Sequence, residues 1–287
     1  MSGNFFKTAL LMTALTVLFV FVGRLLFGTQ GMVWAFILAA GMNFFSYWFS
    51  DKIVLTMSGA HEVSPEQAPE LYRIVDEVAR LAGVPRPRAY IIESDSPNAF
   101  ATGRDPAHAA VAVTTGIMRI LSERELVGVL SHELGHVRNR DTLIMAVVAT
   151  IAGAITMLAQ MAQFAFLFGG YGRDDNREGA NPLVALLMLI LAPIAATIIQ
   201  LAISRAREYE ADATGARISH DPLALANALE KLERGTEIRP LNPNPATAHL
   251  YIVNPFRGVN VAGLFQTHPP IPERVARLRA MAAQGYR

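Results

Sequence analysis

The residues with the clearest chemical potential are five in a row, His132-Glu133-Leu134-Gly135-His136, in a polar stretch just before a long apolar run. Two histidines at positions i and i+4 share one face of a helix and can hold a single zinc ion. Glu133, beside the first histidine, can then act as general base toward a water molecule at the metal. This HExxH motif predicts a metal-dependent peptidase, and the adjoining apolar run predicts that it works at a membrane.

The helix that must carry the motif has a clear start. Ser122-Glu123-Arg124-Glu125 is a capping box, and an apolar stripe follows it on a face other than that of the two histidines (Leu126, Leu130, Leu134 and Val137). Gly135 costs such a helix about 1 kcal/mol relative to Ala and leaves space beside the histidines. An accidental match on a surface helix is the alternative, and the capped, amphipathic context favours the metal site.

A third metal ligand must come from elsewhere in the chain. Hydrolytic zinc sites take three protein ligands and keep one position for water, and residues 140–142 lack the third histidine of the commoner zinc-peptidase signature. Acids at i and i+4 make Glu208 a candidate ligand, with Asp212 placed to accept the N–H of a ligating histidine. Spacing alone equally allows a solvated charged face in which Arg205 and Arg207 form ion pairs.

The composition indicates a membrane protein. Of the 287 residues, 52% are hydrophobic and 17% charged, against about 45–50% and about 25% in soluble domains. The net charge of +1 gives no basic field for a nucleic-acid partner. The absence of cysteine excludes disulfides and thiolate metal sites and fits a reducing compartment.

The apolar excess is concentrated in four blocks. The length of each block is close to that of a membrane span, which needs about 20 residues. They run from about Phe5 to Phe27, Met32 to Phe49, Leu143 to Phe168 and Leu183 to Ile203. The first is longer than the apolar region of a signal peptide, which has about 7–15 residues, so we expect an uncleaved span. The blocks predict two transmembrane hairpins, within residues 1–50 and 142–203.

Four spans put both termini and both long polar regions on one side of the membrane. Those regions carry nearly all the lysine and arginine, so the positive-inside tendency predicts that this side is the cytoplasm. Residues 51–141, with the HExxH helix, and residues 204–287, with the third ligand, would then form the two parts of one catalytic domain.

The predicted fold class is an α+β membrane protein that is mostly helical. Four transmembrane helices carry a cytoplasmic zincin-like metalloprotease domain with a small β-sheet. In the first polar region a helix is expected from Ser64-Pro65 to Gly83, a strand over Ala89–Ile92, and a hairpin of Asn98–Thr102 with Ala109–Thr115. Later helices should begin at Asp221-Pro222 and near Pro272.

The run from His132 to Asp141, followed after two predicted spans by Ser204 to Asp212, resembles the HtpX family of membrane zinc endopeptidases. These are bacterial quality-control proteases related to the CAAX prenyl endoproteases. The resemblance covers essentially the whole chain, and the pairing of both motifs across two spans is specific. It implies one zinc ion per chain, held by His132, His136 and Glu208, with Glu133 as the general base.

Two further segments match the family pattern. Residues 96–103 would form an edge strand able to pair with an extended substrate, with Asn98 bonding the substrate or merely completing a turn after Pro97. In residues 267–274, His268 would donate to the oxyanion of the tetrahedral intermediate, and Arg274 would orient Glu208 or support that histidine. A helix start bounded by prolines, with a surface histidine, is the alternative.

The resemblance implies cleavage of misfolded or damaged membrane proteins at the cytoplasmic face of the bacterial inner membrane, as part of a stress response. A metal-binding scaffold or chaperone without peptidase activity is one alternative, which Glu133 argues against because metal binding alone needs no base. A prenyl-protein endoprotease is another, although those relatives enclose a chamber with more spans. Charged residues around the motif argue against a protease that cuts within the membrane. Partners are therefore protein substrates and the lipid bilayer, and the oligomeric state is left open.

Overall fold

The computed structural model describes residues 2–148, 150, 205–238, 252 and 269–285. The predicted fourth span, residues 183–203, lies outside the described residues, as does the predicted third span beyond its first residues. Residues 142–148, where the third span was predicted to begin, are helical. His268 also lies outside the described part.

The N-terminal helix α1 (Ser2–Met57) is broken at Gly28, whose φ of 65° and ψ of −150° are not helical. Its two halves lie side by side and are joined by hydrogen bonds. Asn43 Nδ2 donates to the carbonyl oxygen of Met12 at 3.1 Å and to Thr16 Oγ1 at 2.8 Å. Among the described residues one helix, Gly28–Met57, is long and apolar enough to cross a membrane.

A four-stranded mixed sheet lies beyond α1, in the order β1-β2-β4-β3. The strands are β1 (Ala60–Glu62), β2 (Arg88–Ile92), β3 (Ala99–Thr102) and β4 (Ala110–Thr114). The central pair, β2 and β4, is parallel, while β1 and β3 add to it antiparallel. The predicted strand and hairpin are confirmed to within a residue at each end, and β1 was not predicted. Strand β3 is an edge of the sheet.

Helix α2 (Pro69–Ala82) begins later than predicted. The expected start at Ser64-Pro65 is wrong: these residues close a turn, in which Gln67 Oε1 accepts the Ser64 N–H at 2.8 Å. Pro69 explains the difference, because it has no N–H to bond a carbonyl four residues back and its ring clashes there. The helix ends as predicted, at Gly83 with a φ of 67°.

Helix α4 (Glu123–Asn139) is the centre of the domain. It follows the short α3 (Thr115–Ile120) and packs against α2, β3, α5 (Arg205–Ser219) and α6 (Pro222–Ile238), while α7 (Ile271–Ala283) packs on α6. The predicted starts of α6 and α7 are confirmed to within a residue. The described chain is mostly helical with a small mixed sheet, as the predicted fold class required.

Candidate metal centre

The predicted capping box at the start of α4 is present. The Ser122 N–H donates to Glu125 Oε2 at 2.7 Å, and Lys231 Nζ from α6 approaches the same oxygen at 2.7 Å. Because α4 then runs without a break to Asn139, His132 and His136 are stacked one turn apart on the same face. Their rings meet edge to face with centroids 4.8 Å apart.

Helix α5 approaches α4 so closely that the two backbones touch. A Cβ atom on Gly215 would lie 2.7 Å from both the Cα and the N of His132. The space predicted beside Gly135 is taken by α5, since a Cβ there would make ordinary contacts with Ala211 and Thr214. Gly215 therefore sets the distance between the helix that carries the histidines and the helix that carries Glu208.

This packing brings His132, His136 and Glu208 together. His132 Nε2 lies 3.9 Å from Glu208 Oε2, and His136 Nε2 lies 3.5 Å from Glu208 Oε1. All three ligand atoms lie within 4.8 Å of one another, and all three side chains are buried. Ligands bound tetrahedrally at zinc distances of about 2.0–2.2 Å stand about 3.4 Å apart, so the donor set and its spacing fit zinc.

The second nitrogen of each histidine faces a carboxylate. His132 Nδ1 lies 3.0 Å from Asp212 Oδ1, and His136 Nδ1 lies 3.2 Å from Asp141 Oδ2. A carboxylate that accepts the Nδ1 proton leaves Nε2 for a metal. His136 makes this hydrogen bond to Asp141, and Asp212 lies within ion-pair distance of His132 Nδ1. Asp212 lies beside His132, and its role as the acceptor of the histidine N–H stays a prediction. Asp141 is not among the residues that the sequence predicts for the site.

Asp141 reaches the site because α4 ends abruptly. Arg140 is in the left-handed region with a φ of 59°, and the Asp141 N–H donates back to the His136 carbonyl oxygen at 2.9 Å. This reversal turns the Asp141 side chain toward the ring one turn earlier. Although burial opposes the charged ring, the hydrogen bond to Asp141 and the nearby carboxylate of Glu208 raise the pKa of His136 to about 9.

Arg274 of α7 is fully buried behind the ligands. Its Nε and Nη2 donate to the two oxygens of Asp212 at 2.8 and 2.7 Å, and its Nη1 lies 3.9 Å from Glu208 Oε2. Burial alone would raise the pKa of Asp212, but the Arg274 charge outweighs it and holds that pKa at about 2. Asp212 is thus ionised, and Arg274 neutralises a carboxylate that would otherwise stand unpaired in the interior.

Glu133 faces the edge strand. Its Oε2 accepts the N–H of Ala101 in β3 at 2.9 Å, and burial raises the pKa of Glu133 to about 7. Because Thr114 N–H donates to the Asn98 carbonyl oxygen, the ladder alternation turns the N–H and C=O of Ala99 and Ala101 away from β4. The base is therefore anchored to the edge of the sheet that an extended peptide could join.

Asn98 is buried and holds another part of the chain. Its Oδ1 accepts the Ile252 N–H at 3.3 Å, while Arg274 Nη1 donates to the Ile252 carbonyl oxygen at 3.0 Å. Asn98 and Arg274, both predicted site residues, therefore bind the backbone of the same residue, Ile252. Nothing in the sequence around Ile252 pointed to this contact, because it joins residues far apart in the chain.

Known proteins share the sequence pattern and the fold of this chain. A model of peptidase family M48 matches residues 65–282. The chain is 59% identical over 276 residues to a protein of Thermodesulfovibrio yellowstonii named "Protease HtpX homolog", covering 96% of this chain and 98% of that protein. A protein of the same name from Pyrococcus furiosus is 56% identical over 283 residues, with 98% and 97% covered.

A solved structure shares the fold. The crystal structure of Ste24p from S. mikatae superposes with a TM-score of 0.53 over 96% of this chain, at 18% sequence identity. The chain spans 65% of the length of that protein. At this identity the likeness concerns the fold.

Proposed function

This chain belongs to peptidase family M48 and is a membrane-bound zinc metalloendopeptidase, and we propose that it cleaves misfolded or damaged membrane proteins at the cytoplasmic face. The resemblance to the HtpX family, stated above from two motifs, is confirmed. Peptide hydrolysis, rather than metal storage or a scaffold, is what the site is built for. The nature of the substrates, the stress role and the orientation in the membrane are our proposals.

The observation that carries the substrate class is the position of Glu133 against edge strand β3. An edge strand recognises a partner through main-chain hydrogen bonds, so it selects extended backbone rather than a particular side chain. Folded proteins rarely offer such a segment, whereas misfolded ones do. Phe100 of β3 lies in one buried cluster with Val54 and Leu55 near the end of α1, so the edge suits unfolded segments of membrane proteins.

Zinc, when held by His132, His136 and Glu208, would act as a Lewis acid on the scissile carbonyl and make a water molecule more acidic. Because the Ala101 N–H is bonded to Glu133, the remaining outward groups of β3, the Ala99 N–H and the carbonyl oxygens of Ala99 and Ala101, would hold the substrate strand in place. Glu133 Oε1, with Oε2 held by Ala101, would take the proton of the attacking water and pass it to the leaving amine nitrogen. Asp212 and Asp141 would hold the histidine rings in the ligating tautomer.

Two predicted site residues keep proposed roles. We assign His268 to the oxyanion of the tetrahedral intermediate, as the sequence suggested. Asn98, in contact with residue 252, would shape the substrate cleft through that segment rather than through its own free amide.

The activity is tested with Glu133→Gln, which keeps the shape of the side chain and removes the base. The purified variant should contain as much zinc as the native chain by elemental analysis, yet should not cleave an unfolded membrane protein in detergent. The same substrate in its folded form should resist the native enzyme. Undiminished cleavage by the variant at full zinc content would refute the role of Glu133, and equal cleavage of both substrate forms would refute the substrate class.

We also propose a multi-pass arrangement in the cytoplasmic (inner) membrane, with four spans and with both termini and the catalytic domain in the cytoplasm. The chain has no cysteine, so a single introduced thiol reports its own side of the membrane. In intact cells Gln30→Cys, beside the α1 break, should react with an impermeant maleimide, and Glu66→Cys, on the surface of the domain, should react only after lysis. The reverse pattern would overturn the orientation.

A further inference from the structure

We propose that the chain carries a second binding site, for the phosphate group of an anionic membrane phospholipid, where α1 enters the domain. A cavity of 720 Å³ lies between the last turns of α1 and the segments that lead into β2 and β4. None of the zinc-site residues lines it, so the site is separate from the peptidase centre. Aromatic and cationic side chains line it together (Trp48, Phe49, Lys52, Arg86, Arg88 and Arg104).

In a membrane, the cavity would lie at the depth of the lipid headgroups. Trp34 and Trp48 are 64% and 45% exposed on the helix that can cross the membrane, and a helix rises about 21 Å between them. Val54 and Leu55, two and three residues after Lys52, are buried in the domain. The end of the apolar surface and the start of the domain therefore meet at Trp48, where interfacial aromatic residues are expected.

The charges of the cavity favour an anion. Four Lys or Arg side chains line it with one carboxylate, Asp51, which accepts a 2.7 Å bond from Arg88. Outside the lining, Asp76 lies 3.5 Å from Arg86 Nη1 and Asp105 lies 3.6 Å from Arg104 Nε. Each arginine has five N–H donors and therefore keeps some of them for an anion. The Arg104 guanidinium stacks 5.0 Å from the centre of the Trp48 ring. Among the described residues Lys52 has no carboxylate within ion-pair distance, and its Nζ lies 5.8 Å from the Phe49 ring centre.

A phosphodiester matches these groups best. Arginine forks bind phosphate oxygens, and a basic cluster at the end of a membrane span attracts anionic lipids. Inorganic phosphate shares the anionic chemistry but has nothing to place against Phe44 and Phe49, which are exposed beside the cavity. Lipid acyl chains would lie against those rings, so the structure favours a lipid over a free anion.

The chain offers its own reporter for this site. It contains two tryptophans, so Trp34→Phe leaves Trp48, in the wall of the cavity, as the sole tryptophan. The full-length Trp34→Phe protein, reconstituted in phosphatidylcholine vesicles, is titrated with phosphatidylglycerol or phosphatidylcholine whose acyl chains are brominated. Bromine quenches a tryptophan it touches, so the two titrations compare the affinities of the two headgroups at Trp48.

We expect phosphatidylglycerol to quench Trp48 with about tenfold higher affinity than phosphatidylcholine, and less so as salt is raised. The double change Lys52→Gln with Arg104→Gln should reduce this preference to about twofold or less. Arg124→Gln with Arg279→Gln removes two exposed charges of the domain that do not line the cavity, and it should leave the preference intact. Arg104→Lys, which keeps the charge and the fold, should give an intermediate preference.

Three results would overturn the proposal. Equal quenching by both lipids in the native background would show an ordinary lipid boundary. Loss of the preference in 20 mM inorganic phosphate, at constant ionic strength, would show that the cavity takes the free anion. Displacement of the bound lipid by a glutamate-rich peptide, together with protection of Trp48 by that peptide, would show an acidic polypeptide site instead.

Discussion

Gly215 offers the sharpest test of how the fold makes the metal site. A Cβ atom there would lie 2.7 Å from the His132 Cα and N, whereas carbon atoms in contact are best about 3.5–4.0 Å apart. Gly215→Ala must therefore push α5 away from α4 by about 1 Å. Because the obstacle is backbone, no side-chain rotation can relieve the contact. Glu208 moves with α5, and the histidines stay on α4.

The expected effects follow from that displacement. Overpacking should cost about 1–3 kcal/mol, or about 3–10 °C in the midpoint of thermal unfolding. A ligand shift of about 1 Å exceeds the about 0.2 Å tolerance of a zinc site, so zinc affinity should fall about 10- to 100-fold. Competition with a chelating dye measures the affinity, and circular dichroism in detergent measures unfolding.

Gly135→Ala is the matched control, since it adds the same methyl group within the motif itself. Its Cβ would lie 3.4 Å from the Ala211 carbonyl oxygen and 3.5 Å from Thr214 Cγ2, which are ordinary contacts. This variant should bind zinc within about twofold of the native chain and gain up to about 1 kcal/mol of helix stability. If the two variants bind zinc alike, the α4–α5 contact does not set the site.

Further predictions concern the groups around the ligands. Arg274→Leu leaves the buried Asp212 charge unpaired and should lower the free energy of unfolding by about 3–5 kcal/mol. Thermal unfolding should show a far larger loss of stability than in the exposed control Arg279→Leu, and addition of Asp212→Asn should restore part of that stability. Ala101→Pro removes the N–H that holds Glu133 but no ladder bond, so kcat should fall about 10- to 100-fold at unchanged zinc content; an unchanged kcat would contradict the anchoring. A strong chelator should abolish cleavage and lower the unfolding midpoint, because zinc at 100 times its Kd adds about 2.7 kcal/mol; identical unfolding curves with and without metal would count against these three ligands.

Much of the local structure could be predicted from the sequence. Features that depend on neighbours within a few residues lie where the sequence predicts them. They are the capping box, the 3.6-residue period of α4 and the ends of the strands. The predicted start of α2 is wrong because Pro65 and Pro69, four residues apart, can each begin a helix, and the helix begins at Pro69. The motif spacing also determined which two histidines share a helix face, and therefore the metal chemistry.

What the sequence alone left open is how separate segments meet. From spacing, Glu208 could equally belong to a solvated face, and it becomes a candidate ligand because Gly215 lets α5 touch α4. Asp141 reaches the site because the residue before it, Arg140, is left-handed and reverses the chain after α4. The Ala101 N–H reaches Glu133 because the register of the sheet turns it away from β4. Each of these contacts depends on packing between distant parts of the chain, which periodicity does not encode. The sequence thus determined which side chains supply the chemistry of the site, and the tertiary structure decided how they are arranged.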